Sequence, residues 1–139
     1  MITPKNIVIC LLFLLTACGK TSVAPIIPNV LVNKQLNLTN IEFAKLRQVY
    51  GYVYLEGGVR GIIVIRVNTN SYVALERNCS YQPEDDCAVV EVDASGIFLK
   101  DPCCGSQFDL TGQVTGGPAS YPLRKYATTL QGNFLYITN

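Results

Sequence analysis

The chain of 139 residues contains no histidine and no tryptophan, and a single methionine. Without histidine, the commonest general base and the commonest metal-ligating side chain are both missing, so His-dependent hydrolysis and an imidazole-ligated metal are excluded. Charge is also sparse. Lys and Arg number 11 against 10 Asp and Glu, with no basic run, which argues against nucleic acid as a partner. No Ser-x-x-Lys accompanies the serines, so there is no activated nucleophile and no enzyme activity is expected. Long apolar runs are absent apart from Ile7 to Leu15, IVICLLFLL. Nine such residues make roughly 14 Å of helix, about half a bilayer core, which is too short to span a membrane.

That run follows Lys5 and precedes Leu15-Thr16-Ala17-Cys18. A positive n-region, a short apolar core and small residues before a cysteine read as a signal peptide over residues 1–17. The Leu-x-Ala-Cys end resembles a bacterial lipobox. The resemblance implies cleavage before Cys18, acylation of that cysteine with palmitate-type chains, and a lipoprotein held to the membrane of the cell envelope. Two or more acyl chains suffice for stable anchoring without a helix. The stretch over residues 18–33, with two prolines and no periodicity, reads first as a tether, and the domain proper as 34–139. Removing Lys5 leaves ten basic and ten acidic residues.

From about residue 30 the pattern is β. Val49 to Leu55 and Gly61 to Val67 flank Glu56-Gly57-Gly58, a hairpin signal. Tyr72–Glu76, Ala88–Val92, Ile97–Lys100, Leu123–Thr129 and Asn133–Thr138 read as further short strands. The turns between them include Asp93-Ala94-Ser95-Gly96 and Gln131-Gly132-Asn133. One helical candidate covers Asn40 to Gln48, capped by Thr39 or Asn40. Many short strands at close spacing predict an all-β antiparallel sandwich or barrel. Tyr50, Tyr52 and Tyr54 share one strand face and read as packing rather than a binding stripe. Glu84-Asp85-Asp86 lacks the Asp-x-Asp-x-Asp-Gly pattern of a calcium loop and reads as a solvated tip.

Beyond Cys10 and Cys18 four cysteines remain: Cys79, Cys87, Cys103 and Cys104. An even number in an exported domain of this size reads first as disulfides. They sit in two loops, NCSYQPEDDC after strand YVALE and DPCCGSQFDLTG after strand IFLK. The tail continues QVTGGPASYPLRKY.

These two loops and the tail resemble the Rieske iron–sulfur domain family. Gly105, Ser106, Phe108, Asp109, Gly112, Gly117, Pro118, Ala119, Pro122, Leu123 and Tyr126 fall in step with that family's pattern, over roughly residues 72–139. The resemblance implies a Rieske-like fold with a small cluster-binding-type subdomain, from about residue 76 to 122. In the family a 2Fe–2S cluster is held by two thiolates on one iron and two imidazoles on the other. Here Cys79 stands at the first thiolate position, Tyr81 at the first histidine, Asp101 at the second thiolate and Cys104 at the second histidine. Three of the four positions are changed, so a cluster of ordinary Rieske ligation is ruled out and no metal or cofactor is expected. Cys87 and Cys103 match the two cysteines that tie the loops together in quinol-oxidising members.

The resemblance therefore implies two disulfides, Cys87–Cys103 and Cys79–Cys104, the second standing where the cluster is lost. The other connectivity, Cys103–Cys104 with Cys79–Cys87, would need a strained ring. Closing loops of about 17 and 26 residues contributes on the order of 3 kcal/mol each. Ser106 is expected to satisfy its own turn. Three functional readings follow. The first is a cell-envelope lipoprotein whose domain is a structural or interaction module for an envelope protein partner. The second is a 2Fe–2S electron-transfer protein with nonstandard ligands. The third, weaker because no Cys-x-x-Cys is present, is a thiol–disulfide protein.

Overall fold

A computed structural model describes residues 23–139. The expected signal peptide, residues 1–17, and the expected lipidation site Cys18 lie outside the described residues. No helix among the described residues is long and apolar enough to cross a membrane.

The central strands show how the sequence sets the layers. In β3 (Ile62–Asn68), four consecutive apolar residues, Ile62 to Ile65, are at most 1% exposed. Because successive side chains point to opposite faces, Ile63 and Ile65 enter one core while Ile62 and Val64 enter another. Full burial of each contributes about 2 kcal/mol. β3 pairs antiparallel with β2 (Tyr52–Leu55) and β4 (Ser71–Glu76). β4 pairs with β9 (Lys125–Gln131), β9 with β10 (Phe134–Thr138), and β10 with β1 (Asn33–Asn37). The result is a six-stranded sheet in the order β1-β10-β9-β4-β3-β2. A second, four-stranded antiparallel sheet runs β5 (Glu91–Val92), β6 (Leu99–Lys100), β7 (Gln107–Phe108), β8 (Val114–Gly116). The fold is all-β, and the small sheet is the subdomain expected between about 76 and 122.

One core lies between the sheets, where Ile63, Ile65 and Leu75 meet Val90, Leu99, Phe108 and Leu123. The other lies on the far face, where Ile62, Val64 and Ala74 meet Leu36, Leu46, Leu135 and Ile137. Leu46 comes from a 3-10 helix, Ile41–Arg47. The expected helix is thus present in tighter form. Asn40 occupies its N-cap position but makes no side-chain cap bond, and the Thr39 hydroxyl bonds Asn37 instead.

The N-terminal stretch is not wholly a tether. The Arg124 guanidinium donates to the carbonyls of Ile27 and Pro28 at 2.5 and 2.6 Å. Asn139 accepts from the Val32 N–H and donates to the Val30 carbonyl, and Val32 is buried. Residues 27–32 are therefore pinned to the domain, and only the part before them is free of such contacts among the described residues.

The sequence reading missed the residue that joins the layers. Glu76 ends β4 at zero exposure. Its carboxylate accepts from the N–H groups of Val59 (2.7 Å), Arg60 (2.9 Å) and Asn78 (3.0 Å), and from the Tyr126 hydroxyl (2.6 Å). Burial, followed by the bond to Glu76 and its charge, pushes the Tyr126 hydroxyl well above its ordinary pKa. Gly58 is required here: it has φ +63°, and a Cβ would lie 2.2 Å from Glu76 Oε2. Glu76→Ala leaves these buried donors unsatisfied and is expected to destabilise the domain by about 3 kcal/mol or more. Urea unfolding followed by circular dichroism reads this directly, and an unchanged midpoint would contradict the role assigned to the carboxylate.

Candidate functional site

The two cysteine loops leave the sheets side by side. The first departs from β4 through an isolated bridge between Asn78 and Val89, and the Cys79 N–H bonds the Ala88 carbonyl at 3.1 Å. The second departs from β6, turned by the Gly105 N–H on the Asp101 carbonyl and the Asp101 N–H on the Ser106 carbonyl, both 2.9 Å. Arg60 holds the tip of the first loop by donating to the carbonyls of Asp85 and Asp86 at 2.9 and 3.1 Å. Glu84-Asp85-Asp86 is thus an exposed tip braced by an arginine, as the lack of a calcium pattern implies. Tyr52 and Tyr54 pack edge to face, 5.6 Å between ring centres, and the Arg77 guanidinium lies 4.4 Å from the Tyr54 ring. Tyr52 and Tyr54 are structural, the Tyr54 hydroxyl accepting the Val92 N–H at 3.0 Å to link the two sheets, but Tyr50 lies before β2 at φ +65° and 60% exposed, so it does not share their strand face.

Cys87 and Cys103 form a disulfide across the loops, with their Cα atoms 5.7 Å apart. The second expected bridge, Cys79–Cys104, is not formed. Both are free thiols, with sulfurs 3.9 Å apart. The reason lies in what else holds Cys104. Its sulfur sits 3.0 Å from Ser106 Oγ and 3.2 Å from Asp101 Oδ2, and receives the Ser106 N–H at 3.4 Å. These contacts aim it between Cys79 and Asp101 rather than at Cys79 alone.

Cys79 and Asp101 are both at zero exposure, and Cys104 is half-buried. Asp101 Oδ1 accepts the Cys103 N–H at 2.8 Å. Burial pushes the Cys79 thiol far up from its ordinary pKa, against a backbone bond from Tyr81, and the Asp101 carboxyl adds to the rise. Tyr81, at the other expected ligand position, packs half-buried against the same core.

Ser106 corrects the expectation of a purely local role. At zero exposure, its Oγ accepts the Ala119 N–H at 3.1 Å, so it couples Cys104 to the Gly-Pro-Ala segment. That segment approaches very closely: a Cβ on Gly117 would lie 2.5 Å from Ser106 Cα. Phe108 beneath is at zero exposure. Asp109 closes the next turn, its Oδ1 accepting the Thr111 N–H, the Thr111 hydroxyl and the Gln113 N–H at 2.7 to 3.0 Å.

No family model matches the chain. A segment of 52 residues is 35% identical to the cytochrome b6-f complex iron-sulfur subunit of Chlorobaculum thiosulfatiphilum, covering 37% of this chain and 28% of that protein. The chain thus matches little more than a quarter of this relative's length. Among solved structures, the plasma membrane Rieske protein PetC3 of Synechocystis PCC 6803 superposes with a TM-score of 0.53 and 26% identity, over 63% of this chain and 85% of that one. The fold is the one found in Rieske proteins. The ferredoxin of carbazole 1,9a-dioxygenase from Nocardioides aromaticivorans IC177 is more distant, at 20% identity and a TM-score of 0.47.

Set in the Rieske frame, the ligand atoms of Cys79, Asp101 and Cys104 lie within 4.8 Å of one another, a group able to hold a metal. The donor set fits a metal in kind, since two sulfurs suit iron or zinc. It does not offer the two imidazoles of a Rieske iron, because the chain has no histidine.

Two predictions follow from the geometry of the loops. Replacing Cys87 and Cys103 together by serine opens a loop with a sequence separation of 16. A loss of about 3 kcal/mol is expected in chemical denaturation under non-reducing conditions. The second concerns acid. Burial opposes ionisation of Asp109, but the hydrogen bonds from Thr111 and Gln113 outweigh it and hold its carboxyl below the ordinary value. A lowered folded pKa gives stability that is complete above the unfolded value, about pH 4, and is lost as pH falls through the folded one. The stability gap between wild type and Asp109→Asn should therefore be open at neutral pH and close below about pH 4. A gap that stays constant down the acid range would refute it.

Proposed function

We propose that the protein is a lipid-anchored component of the bacterial cell envelope, tethered through Cys18, whose Rieske domain serves as a structural or interaction module rather than as a conventional electron carrier. It is not an enzyme in this reading, and its partner is another envelope protein. The observation that carries the reading is the absence of histidine together with the residues found at the ligand positions. Tyr81 and Cys104 replace both imidazoles, and a buried Asp101 replaces a thiolate. A Rieske potential depends on imidazole ligation of one iron. With that ligation gone, the disulfide-tied loops remain as an ordered surface at the end of the small sheet.

A second reading is favoured by one observation, the convergence of Cys79, Asp101 and Cys104 with Ser106 bonded at the Cys104 sulfur. In that reading the same residues, with Tyr81, would hold a 2Fe–2S cluster and the protein would carry single electrons. Two thiolates bound to opposite irons must stand farther apart than the present 3.9 Å.

Iron and acid-labile sulfide, measured on the full chain purified in detergent without exposure to air, separate the two. A colourless protein lacking both is the expected outcome. A coloured protein with two irons and two sulfides per chain would establish the electron carrier instead.

A further inference from the structure

We propose that Cys79, Cys104 and Asp101 form a binding site for a single zinc ion at the junction of the two loops. The inference deepens the non-redox reading above, since zinc does not change oxidation state.

The spacing of the donors is the main argument. Metal–sulfur bonds of about 2.3 Å at tetrahedral angles set two sulfurs about 3.8 Å apart, and a sulfur and a carboxylate oxygen about 3.5 Å apart. The sulfurs of Cys79 and Cys104 are 3.9 Å apart, and Cys104 Sγ is 3.2 Å from Asp101 Oδ2. Three donors from two loops thus lie within 4.8 Å of one another, two of the three pairs near the spacing one ion imposes. A disulfide needs its sulfurs near 2 Å, and a two-iron unit with these two thiolates on opposite irons, as their loop positions require, needs them well beyond the observed spacing.

A second observation is independent of spacing. Asp101 is at zero exposure, and the two ion pairs among the described residues, Arg60–Asp86 and Lys100–Asp93, leave it without a cation. A buried carboxylate in that position is costly unless a positive charge stands beside it. A divalent ion bound by its Oδ2 supplies that charge. Asp101 Oδ1 is already held by the Cys103 N–H, and Ser106 Oγ orients the Cys104 sulfur while anchored on Ala119. These outer contacts fix the ligands from behind, as second partners do at metal sites.

Two thiols with one carboxyl select a thiophilic ion over calcium or magnesium. On binding, the two thiol protons pass to solvent, and no sulfur is oxidised. Three protein donors leave a fourth tetrahedral position. Cys104 is half-buried, so water reaches that side of the site.

The test uses the full chain in detergent, purified with a mild reductant that leaves Cys87–Cys103 intact, stripped with a chelator and titrated with zinc against a chromophoric competitor. One zinc per chain is expected, with Cys79 and Cys104 both shielded from alkylation in the loaded protein. Cobalt in place of zinc should give the absorption of a tetrahedral thiolate site. Asp101→Asn and Cys104→Ser should each weaken zinc at least about tenfold, with unchanged circular dichroism showing that the fold survives. Wild-type protein that takes up no zinc and keeps both thiols reactive overturns the zinc site but leaves the non-redox reading standing. A Cys79–Cys104 disulfide in the freshly isolated protein does the same. Two irons with inorganic sulfide overturn both.

Discussion

The Glu76 carboxylate sits at zero exposure where the large sheet hands the chain to the first cysteine loop. It accepts from the β2–β3 loop at Val59 and Arg60, from Asn78 at the root of the cysteine loop, and from Tyr126 on β9. A charge buried this way is tolerable because four donors replace the water it lost. The arrangement also directs Arg60. With its N–H fixed by Glu76, its guanidinium reaches the tip of the first loop at Asp85 and Asp86. The position of Cys79 thus depends on a bonded network that begins in the large sheet.

The second loop is placed by different means. Gly117 presses against Ser106 too closely for any side chain, and the Ala119 N–H fixes the Ser106 hydroxyl. Phe108 seals the underside of this loop in the core between the sheets. The Cys87–Cys103 disulfide then joins the two independently built loops. Cys79, Cys104 and Asp101 meet because three separate constraints bring them together, none of which passes through a bond among the three themselves.

Much of this was legible in the residues. The apolar run of β3, the strand of β4, the Glu56-Gly57-Gly58 hairpin and the turn at Gly132 follow from β-forming residues and turn chemistry, which act locally. The two loops and the Cys87–Cys103 bond followed from the family pattern, which records a spatial relation that spacing alone does not. What was not legible depends on distant pairing. β1 is short and polar on its exposed positions, and it is a strand because it completes the edge beside β10. The docking of residues 27–32 rests on Arg124 and Asn139, roughly a hundred positions away. Glu76 reads in sequence as an ordinary charge ending a strand. The unformed Cys79–Cys104 bond has a related cause: the Asp101 and Ser106 oxygens, which no spacing of the two cysteines reveals, share the space around the Cys104 sulfur.

On the non-redox reading, a junction of two loops without a cluster poses a problem of charge and space, and there are three ways to fill it. Apolar packing would have placed a hydrophobic side chain at position 101 or 104; the chain has a carboxylate and a thiol there. A covalent staple would need the Cys104 sulfur turned toward Cys79, but its contacts run to Asp101 and Ser106 as well. The disulfide of Cys87 and Cys103 already joins the loops, so a second one adds less constraint than the first. A cation bound by all three groups is the arrangement that uses the carboxylate, both sulfurs and the serine behind them at once. Histidine is not needed for it, so the proposed zinc site suits a Rieske frame that offers no imidazole.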